Sequence, residues 1–208
     1  PVHWLCSTFG ARRMFEIGSM NLAVITELPL VILNVQRGGP STGLPTKSEQ
    51  TDLLQALFGR NGESPMPVIA ATSPTNCFDA AYYASKMALE HMTPVVLLTD
   101  AFVANGSGAF KLPDLNDYPD ICPPYVTPEM AGSYTPYMRN PDTQVRYWPY
   151  PDKKYMHILG GLEKDGRTGA SAPIPRTTTR CVVCVQRKWL ESRCLMWRCR
   201  DAWTMPNC

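Results

Sequence analysis

An α/β fold, with a parallel sheet flanked by helices, is predicted by three features of this 208-residue sequence. Short apolar runs alternate with segments of helical spacing in the order strand, loop, helix, strand, helix, strand, the pattern of parallel strands joined by crossover helices. The first run, Leu30 to Val35, is continuously apolar but for Asn34, as in a strand buried on both faces. A loop rich in glycine and hydrogen-bond donors, Gln36 to Lys47, follows it directly, at the C-terminal strand end where open α/β sheets place ligands.

Each element has its own local reason. Met20 to Ile25 reads as the end of a helix that Glu27-Leu28-Pro29 closes. After the glycine loop, Glu49 to Phe58 reads as a helix with Leu53, Leu54, Leu57 and Phe58 on one face. Val68 to Ala71 is a second short strand. Ser73-Pro74 opens a helix, with serine as the N-cap and proline at the first helical position. Phe78, Ala81, Tyr82, Ala88, Leu89 and Met92 keep helical spacing until Thr93-Pro94 ends it. Val95 to Leu98 is a third buried strand that runs into Thr99-Asp100. From Lys111 to about Lys164 the chain is rich in Pro, Tyr and Asp without periodicity, which predicts an extended, surface-wrapping segment rather than a second domain.

Composition narrows the function classes. No apolar run approaches the ~20 residues that span a bilayer, and no basic segment with a long apolar stretch opens the chain, so neither a membrane role nor a signal peptide is expected. The net charge of +2 is uneven: residues 171–208 hold seven of the 20 Lys/Arg and two of the 18 Asp/Glu, leaving −3 for residues 1–170. A nucleic-acid role would rest on that basic tail alone and is not expected. Five of eight cysteines also lie in the tail, and Cys6, Cys77 and Cys122 form no pairing pattern, which suits a reducing cytoplasm.

The glycine loop departs from the known phosphate cradles. Gly38 and Gly43 have the first Walker A spacing, but Leu44 stands where lysine is required. Gly38 and Gly39 are adjacent and Pro45 delays the helix, which rules out the dinucleotide-binding fingerprint. A tight connection without a ligand and a ligand-binding loop both remain open. Arg37, at the strand end, has the planar donor set that grips a carboxylate, with a surface ion pair as the alternative.

The segment from Asn34 to Lys47 resembles the signature of the alpha subunit of 2-oxoacid:ferredoxin (acceptor) oxidoreductases, in the 2-oxoglutarate branch. The resemblance continues through Glu49-Gln50, Asp52 to Ala56, Phe58 to Pro65, Ser73-Pro74, Cys77-Phe78-Asp79, Met92 to Val95 and Ala104 to Ser107. It returns at Gly160 to Lys164 and Gly166 to Gly169, covering about residues 14–170.

The resemblance implies oxidative decarboxylation of a 2-oxoacid to an acyl-CoA, with electrons passed to ferredoxin. For the 2-oxoglutarate branch the product is succinyl-CoA, and a pyruvate-type enzyme is the alternative. The implied fold is a pyrimidine-type thiamine diphosphate domain. The implied cofactor is thiamine diphosphate with Mg2+, shared with a beta subunit, and the iron–sulfur cluster belongs to a partner subunit. By the same resemblance Arg37 binds the substrate carboxylate, and Gly38, Gly39 and Thr42 shape the pocket wall. Arg60 and Asn61 have no role beyond their place in a motif.

The chain also departs from the family. The family's Tyr-Pro-Ile-Thr-Pro-like motif and Thr-Ser-Gly-Pro-Gly-like turn are missing, and Glu16 and Glu27 lie in the wrong context for its cofactor-binding glutamate. The domain therefore reads as incomplete at the N-terminus: residues 1–13 are set aside, 14–110 form a partial pyrimidine-binding domain and 111–170 a family-like extension. Cys181, Cys184, Cys194 and Cys199 could superficially be a zinc site, but the second pair is spaced by four. Permitted codons for Pro173 to Cys181, shifted in frame, spell Asp-Pro-Glu-Asn-His-Asp-Lys-Met, close to the family's continuation, so 171–208 reads as an out-of-frame tail. The isolated chain is expected to be an inactive fragment of the enzyme.

Overall fold

The structure is a computed structural model that describes residues 5–9, 13–40, 47–150, 155, 157 and 159–171, with side chains from residue 17 onward. The expectations for 172–208, including the cysteine pairs, fall outside it. The chain divides into two compact units, Pro1–Pro124 and Tyr125–Cys208.

The first unit is built on a four-stranded, wholly parallel sheet of β1 (Leu5–Phe9), β2 (Leu30–Gln36), β3 (Val68–Ala70) and β4 (Pro94–Asp100), in the spatial order β1-β2-β4-β3. The parallel sheet agrees with the alternating pattern, whereas β1 has no counterpart in the sequence reading. Strands β2 and β4 lie inside, paired from Leu30↔Pro94 to Gln36↔Asp100. Every residue of β4 is buried, as its unbroken apolar run requires.

The helices are α1 (Arg13–Thr26), α2 (Leu53–Phe58), α3 (Cys77–His91) and α4 (Ala101–Asn105). Helices α1 and α3 end alike. Glu27 and Met92 adopt left-handed backbone at φ 54° and 50°. The next amides, of Leu28 and Thr93, donate to the carbonyls of Ala23 and Ala88 at 3.0 and 3.2 Å. These turns satisfy the last helical carbonyls, and Pro29 and Pro94 beyond them cannot extend the helix. Ser73 caps a 3-10 turn, Pro74–Asn76, that leads into α3, and its hydroxyl accepts from the Asn76 amide at 3.2 Å.

Two helical faces differ from expectation. Helix α3 buries Ala80, Ala84, Met87, Ala88, Leu89 and His91, while Phe78 and Ala81 are exposed. Alanines let the helix approach the sheet closely but register weakly in a hydrophobic pattern, so the stripe read from Phe78 is rotated. Phe78 instead packs against Phe110 and Tyr118, at ring-centroid distances of 6.5 and 5.3 Å. The Tyr118 hydroxyl donates to the Asp79 carboxylate, and that bond holds its pKa up at about 12.

Helix α2 starts at Leu53 rather than Glu49 and buries only Ala56, leaving Leu53, Leu54 and Phe58 exposed. Glu49, Gln50 and the Asp52 amide instead bond to Gly39, Asp100 and Gln36, at the base of the glycine loop and the β4 end.

The second unit, over its described residues, has no strand or helix longer than the 3-10 turn Pro128–Gly132. Tyr125 stacks on Tyr150 and Trp148, at 4.5 and 6.2 Å between centroids. Tyr137 is 1% exposed, with the Arg146 guanidinium 5.1 Å and the Lys164 ammonium 4.8 Å from its ring centre. The Lys164 ammonium also donates to the Tyr137 hydroxyl at 3.2 Å. Asp165 starts a turn whose Oδ1 accepts from the Arg167 and Thr168 amides. The turn closes on Gly169 at φ 73°, where a Cβ would lie 2.9 Å from the Tyr137 ring.

Burial of β4 predicts that Leu97→Ala costs about 2–5 kcal/mol in a urea titration. The exposed Leu54→Ala stays within about 0.5 kcal/mol of the parent. Gly169→Ala combines left-handed backbone with a collision against a buried ring, and is expected to lower the stability of its unit by roughly 1–3 kcal/mol, read from the same titration.

Candidate functional site

All four strands are parallel, so their C-terminal ends share one edge of the sheet. Arg37, Gly38 and Gly39 leave that edge from β2, and Asp100 ends the adjacent β4. The loop apex, residues 41–46, lies outside the described residues, and Thr42 with it. The Gly39–Pro40 peptide is cis.

The two limbs of the loop are clasped at their base. The Gly38 amide donates to the Lys47 carbonyl at 3.2 Å, and the Gly39 amide to a Glu49 carboxylate oxygen at 3.0 Å. One step back, the Gln36 side-chain carbonyl accepts from the Asp52 amide at 3.0 Å. The returning limb also reaches the neighbouring strand, where the Gln50 amide donates to Asp100 Oδ2 at 2.5 Å. The chain on both sides of Arg37 is therefore tied down. Arg37 itself is partly buried, and its Nε is shielded from water without a hydrogen-bond acceptor among the described residues. A shielded guanidinium donor that lacks an acceptor is costly unless a ligand supplies one, and a carboxylate matches it best. That geometry disfavours the surface ion pair left open by the sequence.

Asp100 does structural work here. Its Oδ1 accepts from the Phe102 and Val103 amides, both at 2.8 Å, and so caps α4. Burial alone would push this carboxyl up, but the donors Val103, Gln50 and Phe102 together hold it below the usual carboxylate range. Arg60 closes the far end of α2, donating to the carbonyls of Ala56, Leu57 and Ser64. The Asn61 side chain accepts from Asn21 of α1. These two motif residues thus shape the chain around α2. The sequence reading missed Gln36, Glu49, Gln50 and Asp100 as site-builders. Only Asp100, an aspartate between a strand and a short helical stretch, carried a local signal.

The described residues hold no group of three His, Cys, Asp or Glu side chains able to bind a metal ion, and no helix among them is long and apolar enough to cross a membrane.

Residues 6–162 match the thiamine diphosphate-binding domain of the pyruvate flavodoxin/ferredoxin oxidoreductase family. The chain belongs to this family. The match begins at Cys6 and so takes in β1 from its second residue, eight residues before the resemblance seen in sequence. Over 164 residues the chain is 46% identical to the 2-oxoglutarate oxidoreductase subunit KorA of Mycobacterium tuberculosis, covering 78% of this chain and 25% of that protein. It is 35% identical over 174 residues to the 2-oxoglutarate synthase subunit KorA of Methanothermobacter thermautotrophicus, covering 83% of this chain and 45% of that one. Among solved structures, the 2-oxoglutarate:ferredoxin oxidoreductase from Magnetococcus marinus, with 2-oxoglutarate, coenzyme A and succinyl-CoA bound, matches with a TM-score of 0.79 at 28% identity. That match covers 89% of this chain and 32% of the solved one. The chain thus spans a quarter to under a half of the length of these relatives.

The lowered Asp100 pKa has a definite sign. The carboxylate contributes stability that is complete above the ordinary value of 3.8 and is lost as pH falls through the lowered folded value. Urea titrations across the acid range are expected to show that loss, and Asp100→Asn is expected to flatten it.

Proposed function

We propose that this chain contributes the substrate-carboxylate wall of a 2-oxoglutarate:ferredoxin oxidoreductase. In that reaction the bond between the keto carbon and the carboxylate of 2-oxoglutarate breaks and CO2 leaves. The succinyl group is joined to the thiol sulfur of coenzyme A, a proton is released and the electron pair passes to ferredoxin. Thiamine diphosphate, when bound, supplies the nucleophilic carbon and the electron sink. The observation that carries the proposal is Arg37, whose shielded and unpartnered Nε leaves a clasped glycine loop at the C-terminal edge of the sheet. Arg37 binds and orients the acid's carboxylate, and Gly38 and Gly39 hold the wall behind it; the resemblance also assigns Thr42 to that wall, outside the described residues. The names of the two KorA relatives and of the solved enzyme support 2-oxoglutarate over pyruvate.

The described residues fit one wall of a thiamine site rather than a whole one. Asp100 accepts on both oxygens from the protein's own donors, and Glu49 accepts the Gly39 amide on one oxygen. The rest of the site, with Mg2+, comes from beyond these residues, with a beta subunit as the partner. The iron–sulfur cluster resides on a partner subunit, and the isolated chain does not turn over. Free Cys77 and Cys122 suit a reducing cytoplasm as the place of action.

The test is turnover of 2-oxoglutarate and of pyruvate, side by side, by the assembled complex. Wild type is expected to prefer 2-oxoglutarate. Arg37→Met is expected to raise KM about ten- to hundredfold, the loss of a charge-assisted contact of about 1.5–3 kcal/mol. A preference for pyruvate would overturn the substrate assignment, and an unchanged KM would overturn the role of Arg37.

A further inference from the structure

We propose that Gln50 is a positioning residue for the 2-oxoacid, acting through its bond to Asp100 to hold the returning limb of the glycine loop and thereby set how Arg37 meets the acid's carboxylate. The inference rests on the functional reading above and adds a residue that the reading does not need.

Gln50 is exposed, yet its amide reaches a carboxylate that is 4% exposed at the end of β4. A flexible surface glutamine held this way loses rotamer freedom, so the contact must offset that cost. It does so as a charge-assisted bond, and it gives the buried Asp100 Oδ2 an acceptor's partner. The other oxygen of the same carboxylate fixes the start of α4. One rigid group at the strand end thus holds both α4 and the loop's return. From Gln50 the tie continues to Arg37 on both sides: Glu49 takes the Gly39 amide, and the Asp52 amide goes to Gln36, the residue before Arg37. The strand pairing Gln36↔Asp100 sets these two anchors side by side. Freeing Gln50 would let the limb move with Gly38 and Gly39, and the effect would fall on substrate binding rather than on the chemistry that follows.

A double-mutant cycle in the assembled complex tests this. Gln50→Glu sets two carboxylates against each other. Adding Asp100→Asn reverses donor and acceptor, because the Asn side-chain carbonyl can still cap α4 while its amide donates to the new glutamate. Gln50→Glu is expected to raise KM for 2-oxoglutarate about tenfold with kcat within about twofold, a coupling of the size seen between contacting side chains. The double variant is expected to recover KM to within about twofold of wild type. Gln50→Leu, which adds no charge, is expected to raise KM without being rescued by Asp100→Asn, and it decides the case if Gln50→Glu fails to assemble. Unchanged KM in both single variants at position 50 overturns the inference, as does a raised KM that the swap does not restore. Equal loss in kcat and KM would mark Gln50 as merely structural. If wild type turns over neither 2-oxoacid, the functional reading falls first and this inference falls with it. If wild type is active and the cycle shows no coupling, only this inference falls.

Discussion

The in-register parallel pairing of β2 with β4 is the constraint from which the rest of the first unit follows. Both strands are inner, β4 is buried along its whole length, and sliding one against the other would tear apolar side chains from both faces. The same register puts Gln36 opposite Asp100 at the C-terminal edge of the sheet. Two polar side chains anchored by a rigid apolar sheet then become the posts from which a glycine-rich loop is hung. Precision at the loop is thus inherited from packing in the core, because glycine itself offers no conformational restraint.

Around those posts the acidic and cationic groups divide the work. Glu49 and Asp100 accept from backbone and amide donors of the chain itself, closing the loop and capping α4. Arg37 keeps a shielded donor without an acceptor. Among the described residues, this edge sets acids that accept from the chain's own donors beside a guanidinium Nε shielded without an acceptor. This is a more specific statement than the presence of a positive residue in a loop, since most surface arginines are solvated.

What remains legible without coordinates is set by local rules. The continuous apolar runs marked β2 and β4 because strands buried on both faces need no alternation, and Ser73-Pro74 marked the entry to α3 because capping is a contact within a few residues. Arg37 at a strand end, beside Gly38 and Gly39, stood out because residue type and position suit it to grip a carboxylate, with an ion pair as the alternative. The tertiary structure decided matters that depend on partners far along the chain. Helix α2 lost its first turn because Gln36 claims the Asp52 amide and Asp100 claims Gln50, bonds that span 16 and 50 residues. The α3 face turned to Ala80 and Ala84 because close approach to a sheet rewards small side chains, a criterion no hydrophobicity pattern contains. Strand β1 went unread because its pairing with β2, from Leu5↔Val31 to Phe9↔Val35, is what makes it a strand. The sequence by itself thus determined strands β2 and β4, the glycine-rich loop between them and the place of Arg37 at its start. Only the folded chain decided how that loop is held, because hydrogen bonds between distant residues leave no periodic trace.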